Sequence, residues 1–182
     1  MTYKRPVIYV HRYNSPVGSL FLAVDRKGGV IRVSSADDRS LEKRYDMQPN
    51  AYACGELAFQ LDAYFRGELT KFTIEPVLEG TEFQLSVWNR ILKIPYGSVM
   101  TYGEIAQKVG RRNAARSVGN AVAQNPLAIL VPCHRVVGAR GNIGQYTLRT
   151  PQDELGTNAK AYLLSLEEHA AERELSAAGP KR

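Results

Sequence analysis

The sequence predicts an α+β protein, with a small β-sheet domain over residues 1–79 followed by a mainly helical domain over residues 80–182 that carries a helix-turn-helix. Three observations predict it. Residues Val7 to Val33 hold three short apolar runs separated by turn residues. From Thr81 onward the apolar residues recur at helical rather than strand spacing. Two short helical stretches, Thr101–Val109 and Ala114–Ala123, are joined by the tight turn Gly110-Arg111-Arg112-Asn113, the outline of a helix-turn-helix.

Taken in order, Val7–Val10, Leu20–Val24 and Val30–Val33 read as antiparallel strands, broken at Pro16-Val17-Gly18 and Lys27-Gly28-Gly29. Asp37–Asn50 is polar and charged and predicts a loop or a frayed helix. Cys54–Phe65 places Leu57, Leu61, Tyr64 and Phe65 at helical spacing, and Gly67 closes that helix. Thr70–Gly80 predicts a further short strand and the connection between domains. Thr81 with Gln84, and Thr101 with Glu104, are capping-box pairs that open the next two helices. The first continues through Val87, Trp88, Ile91 and Leu92, with Phe83 and Trp88 read as core, and Pro95-Tyr96-Gly97 ends it. The helix Ala114–Ala123 is rich in small residues, including Ala115, Ser117 and Gly119. Such a face packs closely either on another backbone or on the sugar-phosphate wall of a groove. Asn125-Pro126 ends it, and Leu127–Val131 reads as a buried strand. A last helix spans Ala159–Glu172, with Ala161, Leu164 and Leu166 supplying apolar contacts; the tail after Ser176 is expected to be disordered.

With 44% hydrophobic and 23% charged residues, the composition argues against both a disordered chain and a membrane-spanning one. A net charge of +6 favours a polyanionic partner. The first residues hold no apolar stretch of signal or anchor length, so the expected location is inside the cell, cytoplasmic in a prokaryote and nuclear in a eukaryote. There Cys54 and Cys133 should remain thiols. Three histidines, His11, His134 and His169, offer no zinc-site spacing with them, and no phosphate-cradling glycine loop is evident; no metal and no cofactor is expected.

Chemistry concentrates at Pro132-Cys133-His134-Arg135-Val136. A thiol becomes a strong nucleophile only when its pKa falls or a base takes its proton, and a histidine can do this near neutral pH. The same dipeptide also describes a small buried cysteine beside a satisfied core histidine. In a strand the two side chains would point to opposite faces. Proton transfer then requires a bridging water or a bend, and Pro132 supplies a reason for one.

That run, with the apolar segment before it, resembles the signature of the O6-alkylguanine-DNA alkyltransferases. The likeness extends upstream through Tyr102, Arg116 and Asn125 and downstream to Glu167. It implies an RNase H-like N-terminal sheet and a winged-helix-like C-terminal unit whose second helix enters the minor groove of double-stranded DNA. By resemblance Cys133 takes the alkyl group of O6-alkylguanine, and of O4-alkylthymine, after the nucleotide is flipped out. His134 accepts the thiol proton through a water, Glu167 orients His134, Asn125 holds the geometry and Tyr102 donates to the base. Glu168 competes with Glu167 for the acidic role. Arg116 fills the space left in the duplex, with Ala115, Ser117, Gly119 and Arg135 as further DNA contacts. Val136, Tyr146, Thr147 and Leu148 form the base pocket.

The sulfur would end as a thioether, so each molecule, a monomer in solution, acts once. After Thr147 the chain departs from the family pattern: Leu148–Gly156 is bulkier and longer than the glycine-containing lead of many relatives. Weaker reaction with free O6-benzylguanine than with methylated DNA is the corresponding expectation. Two other readings are a lesion-binding scaffold without chemistry and a cysteine hydrolase. Retention of Cys133 weighs against the first, and the lack of a motif for an oxyanion hole weighs against the second.

Overall fold

The computed structural model describes residues 4–35, 39–149, 152–154 and 156–177. The N-terminal half is a four-stranded sheet in the order β3-β2-β1-β4, built from β1 (Val7–Ser15), β2 (Gly18–Asp25), β3 (Val30–Ser34) and β4 (Asp46–Pro49). β1, β2 and β3 pair antiparallel, whereas β4 lies parallel to β1 at the edge. Period-two alternation sorts β2 between two faces. Leu20, Leu22 and Val24 join the main core with Leu57, Leu61 and Tyr64 of α1 (Gly55–Phe65); Phe21 and Ala23 join Ile8 and Leu41 on the other side.

Two expectations for this half change. The stretch over 37–50 is neither loop nor frayed helix: Arg39–Lys43 forms a 3-10 turn and Asp46–Pro49 is a strand, with 36–38 outside the described residues. A polar edge strand has no apolar alternation by which to be recognised. The strand expected in 70–80 reduces to a single bridge between Val30 and Pro76.

The C-terminal half comprises α2 (Glu82–Ile91), β5 (Met100–Thr101), α3 (Tyr102–Lys108), α4 (Ala115–Ala123), β6 (Val136–Val137) and α5 (Thr157–Ala177). Both capping boxes form. Thr81 Oγ1 accepts from Gln84 N at 3.2 Å while Gln84 Oε1 accepts from Thr81 N at 2.8 Å; Thr101 and Glu104 repeat this at 3.2 and 2.7 Å. Gly110, at φ +75, makes the left-handed turn between α3 and α4. Trp88 Nε1 donates to Ala121 O at 2.9 Å, fastening α2 to α4. One buried apolar cluster runs unbroken from β2 through α1 and α2 to Cys133, so the sheet and helical parts share a core. The tail over 178–182 lies outside the described residues, and no described helix is long and apolar enough to cross a membrane.

Leu127–Val131 is not the expected strand. Val33 N donates to Pro126 O and Ala128 N to Val33 O, at 3.0 and 3.1 Å, so the segment touches the edge of β3 and turns away. Leu130 N then donates to Ala128 O at 2.9 Å, closing a three-residue turn about Ile129 at φ +74. A β-branched residue at positive φ is strained, at a cost on the order of 1–3 kcal/mol. Cys133 N donates to Val131 O at 2.7 Å across Pro132, whose φ −76 and ψ 63 are those of an inverse γ-turn. Two successive tight turns thus deliver Cys133 to the start of the 3-10 turn Cys133–Arg135.

Candidate active site

Asn125 fixes these turns from inside. Its Nδ2 donates to Val131 O at 2.9 Å and to the Cys133 sulfur at 2.9 Å, while Oδ1 accepts from Leu127 N at 3.0 Å. One buried amide therefore holds both the backbone that carries the sulfur and the sulfur itself. Thr147 Oγ1 approaches the same sulfur at 3.8 Å. Cys133 is fully buried. Burial raises its thiol pKa, opposed by hydrogen bonds from Asn125 and Thr147 and by the charge of Lys160. The resting group is a thiol that needs a base.

The next residue, His134, is paired with Glu167. The imidazole Nε2 lies 2.7 Å from Glu167 Oε1, with both side chains buried. Glu167 Oε1 also accepts from Tyr64 OH at 2.8 Å and Arg135 Nη2 at 2.9 Å; Oε2 accepts from Arg135 Nε at 2.8 Å and Gly97 N at 3.1 Å. Burial pushes this carboxyl up, but His134 and Arg135 outweigh it and hold its pKa at about 2. Burial lowers the pKa of His134 and favours the neutral ring. A carboxylate only accepts, so Nε2 must carry the ring proton. Nδ1 is then the basic nitrogen, and it has no hydrogen-bond partner among the described residues. Because the two residues sit in a 3-10 turn, the strand objection to cooperation between Cys133 and His134 does not apply.

Of the two glutamates, Glu167 lies on the buried helix face and touches His134. Lys160, Leu163, Glu167 and Ala170 are buried at helical spacing, and Glu168 is exposed. The expected apolar contacts Ala161, Leu164 and Leu166 are only half-buried.

Beside the sulfur a cavity of about 230 Å³ is lined by Tyr102, Gly119, Asn120, Val122, Ala123, Gln145, Tyr146, Thr147 and Arg149. It lies between the start of α3, one flank of α4 and the loop after Gly144. Burial and the nearby Cys133 raise the Tyr102 pKa, so its hydroxyl remains a donor. Ala115, Arg116 and Ser117, in the first turn of α4, are exposed, and Ala115 and Arg116 stand one turn before the cavity-lining Gly119 and Asn120. Gly119 is half-buried against the Tyr102 ring.

Two expected placements are corrected. Arg135 is not on a DNA-facing surface: it is buried, forked onto Glu167, and its Nη1 donates to Ile94 O at 2.7 Å. Leu148 and Val136 do not line the cavity; both are fully buried, and Val136 contributes a carbonyl that accepts from Lys160 Nζ at 2.6 Å. Three residues of the site escaped the sequence reading. Tyr64 joins the Glu167 network, Arg149 lines the cavity, and Lys160 is a buried amine 6.0 Å from the Tyr102 ring centroid. Cys54 belongs to another part of the core, where burial pushes its thiol up to about 11. Among the described residues no three His, Cys, Asp or Glu side chains form a metal-holding set.

Comparison with known proteins finds matches to both halves of the chain. Residues 82–169 match the family model described as 6-O-methylguanine DNA methyltransferase, DNA binding domain, and residues 8–78 match that of the ribonuclease-like domain. A methylated-DNA–protein-cysteine methyltransferase of Mycobacterium leprae is 46% identical over 90% of this chain and 94% of its own. One from Methanosarcina acetivorans is 41% identical over 88% and 98%. The crystal structure of Mycobacterium tuberculosis O6-methylguanine methyltransferase superposes with a TM-score of 0.76 at 38% identity, covering 94% of this chain and 99% of that one. A complex of the same organism's protein with DNA gives 0.78 at 40% identity, covering 89% and 94%. The chain belongs to the 6-O-methylguanine DNA methyltransferase family.

Proposed function

We propose that Cys133 is the sulfur onto which this protein transfers the alkyl group of O6-alkylguanine in DNA, once per molecule, restoring guanine directly. The supporting observation is the Cys133 sulfur, held at 2.9 Å by Asn125 and placed against Thr147, whose other side lines the cavity beside α4. A base reaches that cavity only by leaving the duplex stack.

In this reading the residues act as follows. His134 Nδ1 takes the thiol proton through a bridging water, and Glu167 holds the tautomer and stabilises the imidazolium. The thiolate attacks the alkyl carbon. The new S–C bond forms as the C–O6 bond breaks, and its electron pair goes to the purine. Tyr102 donates a hydrogen bond to the departing base and Thr147 donates one at O6, and the thiol proton taken up by His134 passes through solvent to the purine, which leaves as neutral guanine. Arg116, Ala115 and Ser117 meet the minor groove, with Arg116 standing in for the extruded nucleotide. O4-alkylthymine presents the same alkoxy carbon beside a ring nitrogen and is proposed as a second substrate.

The test is intact-protein mass spectrometry after incubation with a duplex containing O6-methylguanine, alongside Cys133→Ala. A stoichiometric gain of one methylene mass, absent from the variant, is expected. Turnover without a lasting mass change, or a gain that survives in the variant, would sink the assignment.

A further inference from the structure

The cavity beside Cys133 has a charged residue on its rim that alkyl transfer itself does not use. Exposure marks depth along the loop: Tyr146 is buried, Thr147 half-buried and Arg149 exposed, although Arg149 still lines the cavity. The backbone of Arg149 is fixed. Its N–H donates to Ser35 Oγ at 3.0 Å, tying the loop to the end of β3. From below, Gly156, at φ +67, lies so close that a Cβ there would stand 2.5 Å from Leu148 O and 2.9 Å from Tyr146 O. The loop has no room to fall back. The side chain is held more lightly, with Nε donating to Tyr146 O at 3.1 Å and Nη2 to Gln145 Oε1 at 3.5 Å. No described carboxylate pairs with it.

We infer that Arg149 binds the backbone phosphate of the extruded nucleotide. The inference rests on the alkyl-transfer reading and deepens it. Thr147 lines the cavity and stands 3.8 Å from the sulfur, so the alkylated O6 edge must be directed to the Thr147 side. The sugar and its phosphate are then left at the mouth, where the guanidinium stands. Every nucleotide in DNA carries that anion and a free base carries none. With Nε and one Nη2 hydrogen engaged, the end-on Nη1/Nη2 edge of the fork is uncommitted and is suited to phosphate oxygens. Arg149 is therefore a specificity residue that favours a lesion carried in DNA over the isolated base.

The experiment measures second-order rate constants for Cys133 alkylation with an O6-methylguanine duplex and with free O6-methylguanine, in wild type, Arg149→Gln and Arg149→Lys. Either substitution keeps the backbone bond to Ser35. In Arg149→Gln the ratio of the DNA constant to the free-base constant should fall about three- to tenfold. The dependence of the logarithm of the DNA constant on that of salt concentration should flatten by about one contact. Arg149→Lys, keeping the charge but not the fork, should recover part of the ratio. A ratio equal to wild type in Arg149→Gln, or an equal fall with both substrates, overturns the phosphate role. Failure of the wild-type protein to alkylate Cys133 with either substrate would instead bring down the alkyl-transfer reading, and this inference with it.

Discussion

Arg135 and Glu167 meet through two parallel hydrogen bonds, Nε to Oε2 at 2.8 Å and Nη2 to Oε1 at 2.9 Å, where Glu167 is 1% exposed. A fork of this kind holds the carboxylate that holds His134. Removing one partner of a buried ion pair leaves the other uncompensated. Arg135→Leu should therefore cost about 3–5 kcal/mol of stability, measured by urea unfolding. Since this guanidinium points inward, the folded fraction should bind DNA with an unchanged salt dependence. A salt slope reduced by about one contact would show that Arg135 reaches phosphate after all.

Glu167→Gln tests the tautomer. A glutamine can donate to Nε2, which moves the ring proton to Nδ1 and leaves no basic nitrogen for the thiol. The alkylation rate at neutral pH should fall by about a hundredfold or more. The pH profiles should also differ in shape. Burial lowers the pKa of His134, so the wild-type rate should be level through neutrality and decline only in acid. In the variant the thiol must ionise unaided, and burial raises its pKa, so the rate should climb with pH throughout the alkaline range. Two profiles of the same shape would remove His134 from the proton path.

The same carboxyl sets an acid limit. Its pKa is about 2 in the folded protein against an ordinary 4.5, so between these values the unfolded chain holds more protons. Stability present above pH 4.5 is lost as the pH falls through that window, by about 3 kcal/mol at most. Denaturant midpoints of wild type and Glu167→Gln should converge as pH drops from 5 toward 2.5. A constant gap would assign acid sensitivity to other groups.

What the sequence makes legible here is what is encoded locally. Thr81 with Gln84 and Thr101 with Glu104 can be read as caps because both partners lie within one turn. The path into Cys133 cannot: Leu127–Val131 is apolar and bounded like a strand, and only the Asn125 side chain and the γ-turns at Ile129 and Pro132 decide otherwise. Arg135 reads as a DNA contact and Lys160 draws no expectation, because their partners lie 32 and 24 residues away. Tyr64, 103 residues from Glu167, is invisible to any reading by spacing. One signal was available. Leu163, Glu167 and Ala170 recur at i, i+4 and i+7, which places Glu167 rather than Glu168 on the inner face.

That spacing also draws attention to Lys160, whose amine is fully buried, donates to Val136 O and stands beside Tyr102. Burial lowers its pKa from 10.5 to about 8, while the charge that Cys133 can carry raises it. Here the folded value lies below the unfolded one. The unfolded chain therefore holds more protons between about pH 8 and 10.5, and folding is favoured increasingly as the pH rises through that window. In Lys160→Met the gain should disappear, so the stability difference between variant and wild type should shift in favour of wild type from pH 7.5 to 10.5. Curves that stay parallel would mean that the amine titrates normally. Alkylation adds a second check. A thioether carries no charge, whereas the free thiol ionises toward the alkaline end of this window and holds the Lys160 proton, so the methylated protein should complete its gain at lower pH than the free-thiol form, and coincident curves would separate Lys160 electrostatically from the sulfur.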